Sequence, residues 1–428
     1  MQHQLNNHAT NQSAAIEFID RAIFLSSERT HFKKVNDYFK DLKLLHSEKL
    51  WNELSQKIEL LLLHSSRDEI MKSFPVELSA QSSKEIEMMN EILVNLYLNF
   101  ISSFEERLNA LKLARIAVHT AERCETRERA IEFLELVLVK TRQTKQTQFE
   151  EAEVFVRMNI ALLNLHGGDS EKAKEEVNKS HQKEDLFLWK QADPTVSAAF
   201  HYLAAQLYKH ERDFANFYKS GILYLAYVDC MTLGEDVAQE LAVDLALAAL
   251  LGENVFNFAE FLAHPISKFI SKESKSEFGW LLDMVQVFND GDLNAYDELC
   301  EKYADQLNAQ PALVMHERKL REKITILAFL RIVFELPAEK REIELADIAV
   351  RTKLSVDGVE FLLMKTLSAG LIEGEIDEVS SKVVVTWAQP RILLKPEIQE
   401  LADRLDQWIQ KVSETTTSLQ QELLMSSA

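Results

Sequence analysis

Apolar residues recur at spacings of three and four along most of the chain, from about residue 16 to residue 334. One stripe runs through Leu108, Leu111, Ala114 and Val118, which lie on one face of an α-helix at this spacing. Asp193 followed by Pro194 marks a helix start, with Asp at the N-cap and Pro at the first helical position. The pattern therefore predicts a body built from amphipathic helices.

Successive helices are predicted from residue 194, over residues 214–230 and over residues 235–251. Gly221 lies on the apolar face of the second helix and should let a neighbouring helix approach closely. Pairs of helices return at intervals of roughly 40 residues, a period typical of helical-hairpin solenoids. Gly and Pro are scarce, at 10 and 7 residues, where average usage would give roughly 30 and 21. The expected fold class is mainly α, with an α-solenoid of helical hairpins.

The segment at residues 316–335 is apolar on nearly all sides, through residues such as Ile324, Leu327, Leu330 and Val333. A helix that is apolar all round has to be buried. Its position in the chain predicts a linking helix between the solenoid and a C-terminal module.

A different pattern follows over residues 343–389. A short amphipathic helix (residues 345–350) precedes a second helix (residues 356–369), with Ser355 as its N-cap and Gly370 as its end. Two β-prone segments, residues 371–376 and 382–387, flank a polar turn. Helix, helix and two-stranded wing in this order predict a winged helix.

The charge of this module argues against nucleic acid. Residues 341–396 hold seven Lys or Arg and nine Asp or Glu, a net charge of −2, and the whole chain carries −20. A nucleic-acid reader has to neutralise several phosphates with cations. A winged-helix nucleic-acid binder is therefore the weaker alternative, anionic membranes are also disfavoured, and the module's surfaces are expected to bind other proteins.

The wing supplies one candidate interface, formed by Val383, Val384 and Val385. An unpaired β edge with this much Val would be an aggregation hazard unless another chain covers it. We therefore expect these residues to meet a neighbouring subunit. The alternative is that Val384 alone faces inward, to the core of the module.

The C-terminal segment carries a second candidate interface. Apolar and Thr side chains alternate spacings of three and four at Ile398, Leu401, Leu405, Trp408, Val412, Thr415 and Leu419. This is the a/d seam of a helix that requires a partner helix. Two interpretations stay open from the residues alone: the stripe folds back onto its own winged helix, or it joins a bundle with helices from other chains.

Motifs that carry catalysis are not found in the sequence. It has no G-x-x-x-x-G-K-[ST], no H-E-x-x-H and no C-x-x-C. Cys124, Cys230 and Cys300 are isolated, as free thiols of a reducing compartment are. The apolar runs are too short to span a membrane. We expect a non-enzyme without cofactor or metal, located in the cytoplasm and the nucleus.

Several strings resemble a known family, among them residues 264–266 (HPI), 288–291 (FNDG), 367–371 (LSAGL) and 386–391 (TWAQPR). They are similar to PCI-domain proteins, the scaffold subunits of the proteasome lid, the COP9 signalosome and a translation initiation factor complex, and most of all to the lid members. The resemblance implies a non-catalytic scaffold of the 19S regulatory particle lid, acting in lid assembly and ubiquitin-dependent protein degradation. The signalosome or initiation-factor complex is the alternative.

The resemblance also implies partners. A hetero-oligomer is expected, with a neighbouring PCI subunit, the deubiquitinase heterodimer and a ubiquitin receptor subunit around this chain and C-terminal helices in a shared bundle. It thus favours the inter-chain interpretation of the seam. The expected organisation is a flexible N-terminus at residues 1–15, the solenoid at 16–262, the helical part of the PCI domain at 263–340, the winged helix at 341–391, and the C-terminal helix and tail at 392–428.

Overall fold

The computed structural model describes residues 17–21, 33–64, 79–143, 149–184, 193–231, 233–271, 277–336, 341–390 and 395–426. The chain divides into two compact units, Met1–His210 and Glu211–Ala428. The N-terminus expected to be flexible lies outside the described residues.

The first unit consists of helices. Residues 17–21 are helical. The longer helices are α1 (Lys33–Glu48), α2 (Trp51–His64), α3 (Ser79–Asn99), α4 (Ala110–Ala121), α5 (Arg127–Gln143), α6 (Phe149–His166), α7 (Ser170–Glu184) and α8 (Pro194–Glu211). Short 3-10 turns at Ile101–Ser103 and Glu105–Arg107 join α3 to α4.

Helices close in sequence pack on one another in this unit. Helix α1 packs on α2, α2 on α4, α4 on α5 and α6, and α6 on α7. The stripe predicted from the sequence is buried at Leu108, Leu111, Ala114 and Val118. This stepwise packing of neighbours confirms the helical-repeat prediction, since each helix buries its apolar face against the next ones along the chain.

Local signals set the start of α8 as predicted. The carboxylate of Asp193 accepts a hydrogen bond from the backbone N–H of Thr195 at 2.9 Å, and Pro194 is the first helical residue. The cap satisfies one of the N–H groups that the first turn of a helix leaves without a partner.

The second unit begins with helices and ends with a small sheet. Its helices are α9 (Phe214–Tyr227), α10 (Glu235–Leu251), α11 (Ala259–Ala263), α12 (Gly279–Asp290), α13 (Leu293–Lys302), α14 (Ala304–Asn308), α15 (Pro311–Met315), α16 (Glu317–Glu335), α17 (Leu345–Thr352), α18 (Val356–Ser368) and α19 (Lys395–Ser426). A 3-10 turn spans Pro265–Ile270, and the strands are β1 (Glu342–Glu344), β2 (Ile372–Asp377) and β3 (Lys382–Ala388).

Gly221 has the predicted role. Helix α9 packs on α10, and a Cβ atom at Gly221 would lie 2.5 Å from Cδ2 of Leu245. A real Cβ atom is not found so close to a neighbour, so the missing side chain is what lets the two helices meet here.

Helix α16 is the buried linking helix. Ile324, Phe329 and Val333 have no exposed surface, and most of the helix is buried with them. It packs on α10, α12 and α13, and also on α17 and β3 of the C-terminal module. The prediction is confirmed because a helix with neighbours on all sides can be apolar all round.

The C-terminal module is a winged helix with one more strand than the sequence predicted. The sheet order is β1-β3-β2, and both pairings are antiparallel. The sequence analysis missed β1 because only Ile343 of its three residues is apolar and buried, which is too short for an alternating pattern.

Candidate protein-interaction surfaces

Two caps fix the second helix of the winged helix, which is the helix that enters the DNA groove in many nucleic-acid readers. Ser355 Oγ accepts a hydrogen bond from the N–H of Gly358 at 3.3 Å at the start of α18. At its end Gly370 adopts a φ of +66°, and the N–H of Leu371 donates to the carbonyl of Thr366 at 3.1 Å. Both predicted caps are present, so the start and the end of this surface helix are set locally.

Several cations of the winged helix are engaged within the chain. Four of them form ion pairs, namely Arg351 with Glu335 at 2.6 Å, Lys353 with Asp297 at 3.0 Å, Lys382 with Glu342 at 3.0 Å, and Lys365 with Glu322. The hydrogen bond from Lys353 holds the pKa of Asp297 below its ordinary value. Such exposed pairs add little stability. They do leave the module with few cations for phosphate, which argues further against a nucleic-acid binder.

The outward face of α18 is apolar and acidic. Phe361 and Met364 are 62% and 57% exposed, and Asp357 and Glu360 lie on the same helix. Sequence reasoning missed this face because it considered only the charges of the helix. The available signal was the pair of large apolar residues three positions apart, outside the buried stripe formed by Val359, Leu362, Leu363 and Thr366.

The structure corrects the side-chain assignment of the wing. Val383 and Val385 are buried in the module, whereas Val384 between them is 43% exposed. Successive side chains of a strand point to opposite faces, so Val384 cannot share a face with its two neighbours. The alternative that Val384 alone faces inward is therefore wrong. Val383 and Val385 face inward and belong to the core of the module.

The pairing of the wing also differs from the expectation. Strand β3 is the central strand, with Val384 paired to Glu342 of β1 on one side and to Glu375 of β2 on the other. The valine-rich strand is thus not an unpaired edge. Val384 and Trp387 of this strand are both more than 40% exposed, and Val384 is the part of the wing prediction that stays open.

The C-terminal helix presents a long apolar stripe. Helix α19 is 32 residues long, and the side chains at 398–399 and 401–419 are all exposed. The large apolar seam residues are between 47% and 65% exposed, at Ile398, Leu401, Leu405, Trp408, Val412 and Leu419. Thr415, in the same seam, is exposed too. In the described residues the stripe is not packed on the chain's own winged helix, and its contact with helices of other chains stays a prediction.

In the described part of the chain, no three His, Cys, Asp or Glu side chains are grouped in a way that could hold a metal ion. None of the described helices is both long and apolar enough to cross a bilayer. Burial raises the pKa of the thiols of Cys124 and Cys300, which disfavours the nucleophilic thiolate.

Comparison with known families gives two matches. The family described as "PSD13 N-terminal repeats" matches residues 38–285, and the PCI domain matches residues 300–387. The first family covers the helical repeats and more than half of the chain. The second covers α16 and the winged helix.

Relatives match over nearly the full length. The chain is 40% identical to "26S proteasome non-ATPase regulatory subunit 13 homolog B" of Arabidopsis thaliana, over 93% of this chain and 97% of that protein. It is 31% identical to the subunit 13 of Dictyostelium discoideum over 89% of this chain and 93% of that protein. It is 28% identical to "26S proteasome regulatory subunit RPN9" of Saccharomyces cerevisiae, over 87% of this chain and 90% of that protein.

A weaker match extends over a part of the chain. The protein named "Eukaryotic translation initiation factor 3 subunit M" of Neosartorya fischeri is 25% identical over 40% of this chain and 35% of its own length. That similarity is lower and shorter than the similarity to the proteasome subunits. The chain therefore belongs to the family of the 26S proteasome non-ATPase regulatory subunit 13.

Proposed function

We propose that this protein is a non-catalytic scaffold subunit of the lid of the proteasome regulatory particle. In this role it acts in lid assembly and in ubiquitin-dependent protein degradation. The proposal rests on membership of the subunit 13 family together with one structural observation, the apolar seam of α19, which the described residues of its own chain do not cover. A 32-residue amphipathic helix left open in this way is a surface for partner helices.

The seam residues have the character of interface anchors. Leu401, Leu405, Trp408 and Val412 follow one another at heptad spacing along the middle of α19. Truncating an aliphatic or aromatic anchor in a well-packed interface costs about 2–4 kcal/mol. Two such truncations together would weaken association by several powers of ten, since about 1.4 kcal/mol corresponds to a factor of ten.

The partners belong to the same proposal. We place α19 in a bundle with C-terminal helices of other lid subunits, and we place Val384 of the wing against a neighbouring PCI subunit. The deubiquitinase heterodimer and a ubiquitin receptor subunit complete the proposed neighbourhood, in the cytoplasm and the nucleus. The domain boundaries in this proposal are those expected from the sequence, with the solenoid at 16–262, the helical part of the PCI domain at 263–340, the winged helix at 341–391 and the C-terminal helix and tail at 392–428.

The test uses a double substitution in the seam of the tagged full-length chain. Leu405→Asp combined with Trp408→Ala puts a charge and a cavity into the proposed interface, while both positions are exposed in the isolated chain. We expect a folded protein with unchanged circular dichroism that no longer enters the lid. Affinity purification followed by mass spectrometry and a native gel measures incorporation.

A matched control lies on the opposite face of the same helix. Asp403→Ala combined with Gln410→Ala changes two exposed polar residues outside the seam and should leave incorporation unchanged. Normal incorporation of the seam variant would refute the bundle assignment. Recovery of initiation-factor or signalosome subunits with the unmodified chain, in place of proteasome subunits, would overturn the lid assignment and keep the PCI fold.

A further inference from the structure

A pocket in the first unit combines cations with an aromatic ring. It has a volume of about 450 Å³ and lies between the start of α2 and the start of α4. Its walls include Lys49, Leu50 and Trp51 from one side, and Arg107 and Lys112 from the other. Three cations thus line one pocket of a chain whose net charge is −20.

Arg107 is held by stacking on Trp51. The guanidinium carbon lies 5.0 Å from the centre of the Trp51 ring, and that ring stacks on Phe104 with centroids 5.4 Å apart. An arginine on an aromatic face keeps its N–H groups free along the edge of its plane. Within the described part of the chain, no oxygen accepts a hydrogen bond from this guanidinium. Its N–H donors are therefore available to an incoming oxyanion.

Two lysines add to the charge around Arg107. Lys112 Nζ donates to the side-chain oxygen of Asn52 at 2.5 Å, which holds the ammonium at the pocket wall. Lys49 is exposed and ends α1 with a φ of +59°. Glu53 is the acidic residue among the described lining residues, so three cations face one carboxylate. No described carboxylate forms an ion pair with Lys49, Arg107 or Lys112.

The geometry points to an acidic segment of a partner protein as the ligand of this pocket. We propose that a carboxylate of the segment accepts two hydrogen bonds from Arg107, with Lys49 and Lys112 holding a second acidic group. Leu50 is 39% exposed beside Trp51, and the two offer an apolar contact to a neighbouring side chain of the segment.

A peptide fits the pocket better than a nucleic acid does. Nucleic-acid binding needs a track of cations along many phosphates, and here three cations surround a single cavity. The strongly acidic remainder of the chain would repel a polyanion outside that cavity. This inference extends beyond the lid assignment and does not depend on it, because it concerns the first unit alone.

The test measures binding of a fluorescein-labelled peptide with the repeated sequence Leu-Glu-Asp to the full chain by fluorescence anisotropy. We expect saturable binding that Arg107→Ala weakens about tenfold or more, as the loss of a charge-assisted bidentate contact does. Arg107→Lys keeps the positive charge but lacks the paired N–H donors of the guanidinium, so it should weaken binding by a smaller but measurable factor. Circular dichroism checks that each variant is folded.

Two further variants separate the site from general charge. Lys49→Gly removes a cation at a left-handed position that glycine adopts without strain, so it should weaken binding while the fold is kept. Arg129→Ala removes an exposed cation of the same unit outside the pocket and should leave the affinity unchanged. Absence of saturable binding, equal losses for Arg129→Ala and Arg107→Ala, or tighter binding of a poly-dT oligonucleotide than of the peptide would each overturn the proposal.

Discussion

Lys323 of the linking helix is buried, and its charge should make the stability of the second unit depend on pH. The side chain is only 6% exposed. Its Nζ donates to the carbonyls of Ala249 at 2.6 Å, Leu250 at 3.1 Å and Gly252 at 2.8 Å. These carbonyls end α10, where a helix leaves its last acceptors without partners. Lys323 of α16 therefore connects the two helices through hydrogen bonds to the end of α10.

Burial lowers the pKa of Lys323 from 10.5 to about 7 in the folded chain. Between these two values the unfolded chain holds more protons than the folded one, so stability rises with pH in this window. Below about pH 7 the full cost of the buried charge is present. Between pH 7 and pH 9 this proton linkage raises the free energy of unfolding by about 2 kcal/mol. This is an upper value, because a neutral amine donates only two of the three hydrogen bonds.

Lys323→Met separates the two effects. The variant leaves the carbonyl oxygens of Ala249 and Leu250 without the Lys323 donor, at roughly 1–3 kcal/mol each, and that of Gly252 with only the N–H of Val255 at 3.5 Å. It also removes the cost of the buried charge. At pH 7 the lost hydrogen bonds destabilise the variant and the removal of the buried charge stabilises it. At pH 9 only the loss of the hydrogen bonds remains. We therefore expect the variant to be slightly less stable than the unmodified chain at pH 7 and clearly less stable at pH 9, the gap growing by about 2 kcal/mol.

The assay is native-state hydrogen exchange with mass spectrometry, since a chain of two units need not unfold in a single step. Peptides from α10 and α16 report the local free energy of opening at both pH values, after correction for intrinsic exchange. Lys319→Met is the control, because Lys319 lies one turn earlier on the same helix with an exposed side chain. A stability gap for Lys323→Met that is the same at pH 7 and pH 9 would refute the reasoning.

Three further outcomes follow from the packing of the second unit. Gly291→Ala should cost about 3 kcal/mol or more in urea unfolding, because φ is +64° and a Cβ would lie 2.7 Å from the carbonyl oxygen of Leu327. Gly370→Ala, at a φ of +66° with no atom near its Cβ position, should cost only about 1 kcal/mol. Val383→Asp should lower the melting temperature strongly, whereas Val384→Asp should leave it nearly unchanged; similar melting temperatures for the two variants would contradict the assigned strand faces.

Much of the fold could be predicted because its signals are local. The Asp193–Pro194 start of α8, the Ser355 cap of α18 and the all-round apolar character of α16 each depend on neighbours within one or two helical turns. The candidate site was predicted in part. The seam of α19 is a heptad pattern within one helix, and the structure places its residues on one exposed element.

The directions of the wing side chains could not be predicted, because they depend on which face of the sheet packs against the helices. Three consecutive valines read the same on either face of a strand, and only the packing of the sheet, for example of β3 on α16, puts Val383 and Val385 inside. The exposed Phe361 and Met364 were missed for a related reason. An apolar residue on a helix counts as core until the neighbours of that helix are known.

The sequence by itself determined the helical body, the acidic winged helix and the apolar seam of the C-terminal helix, because periodicity, capping and net charge are properties of nearby residues and of composition. Only the tertiary structure decided which groups meet across long stretches of chain. It brings Lys323 to carbonyls more than 70 residues earlier, and it stacks Arg107 on Trp51. Such contacts carry no local signal, since they arise when separate apolar faces are buried against one another.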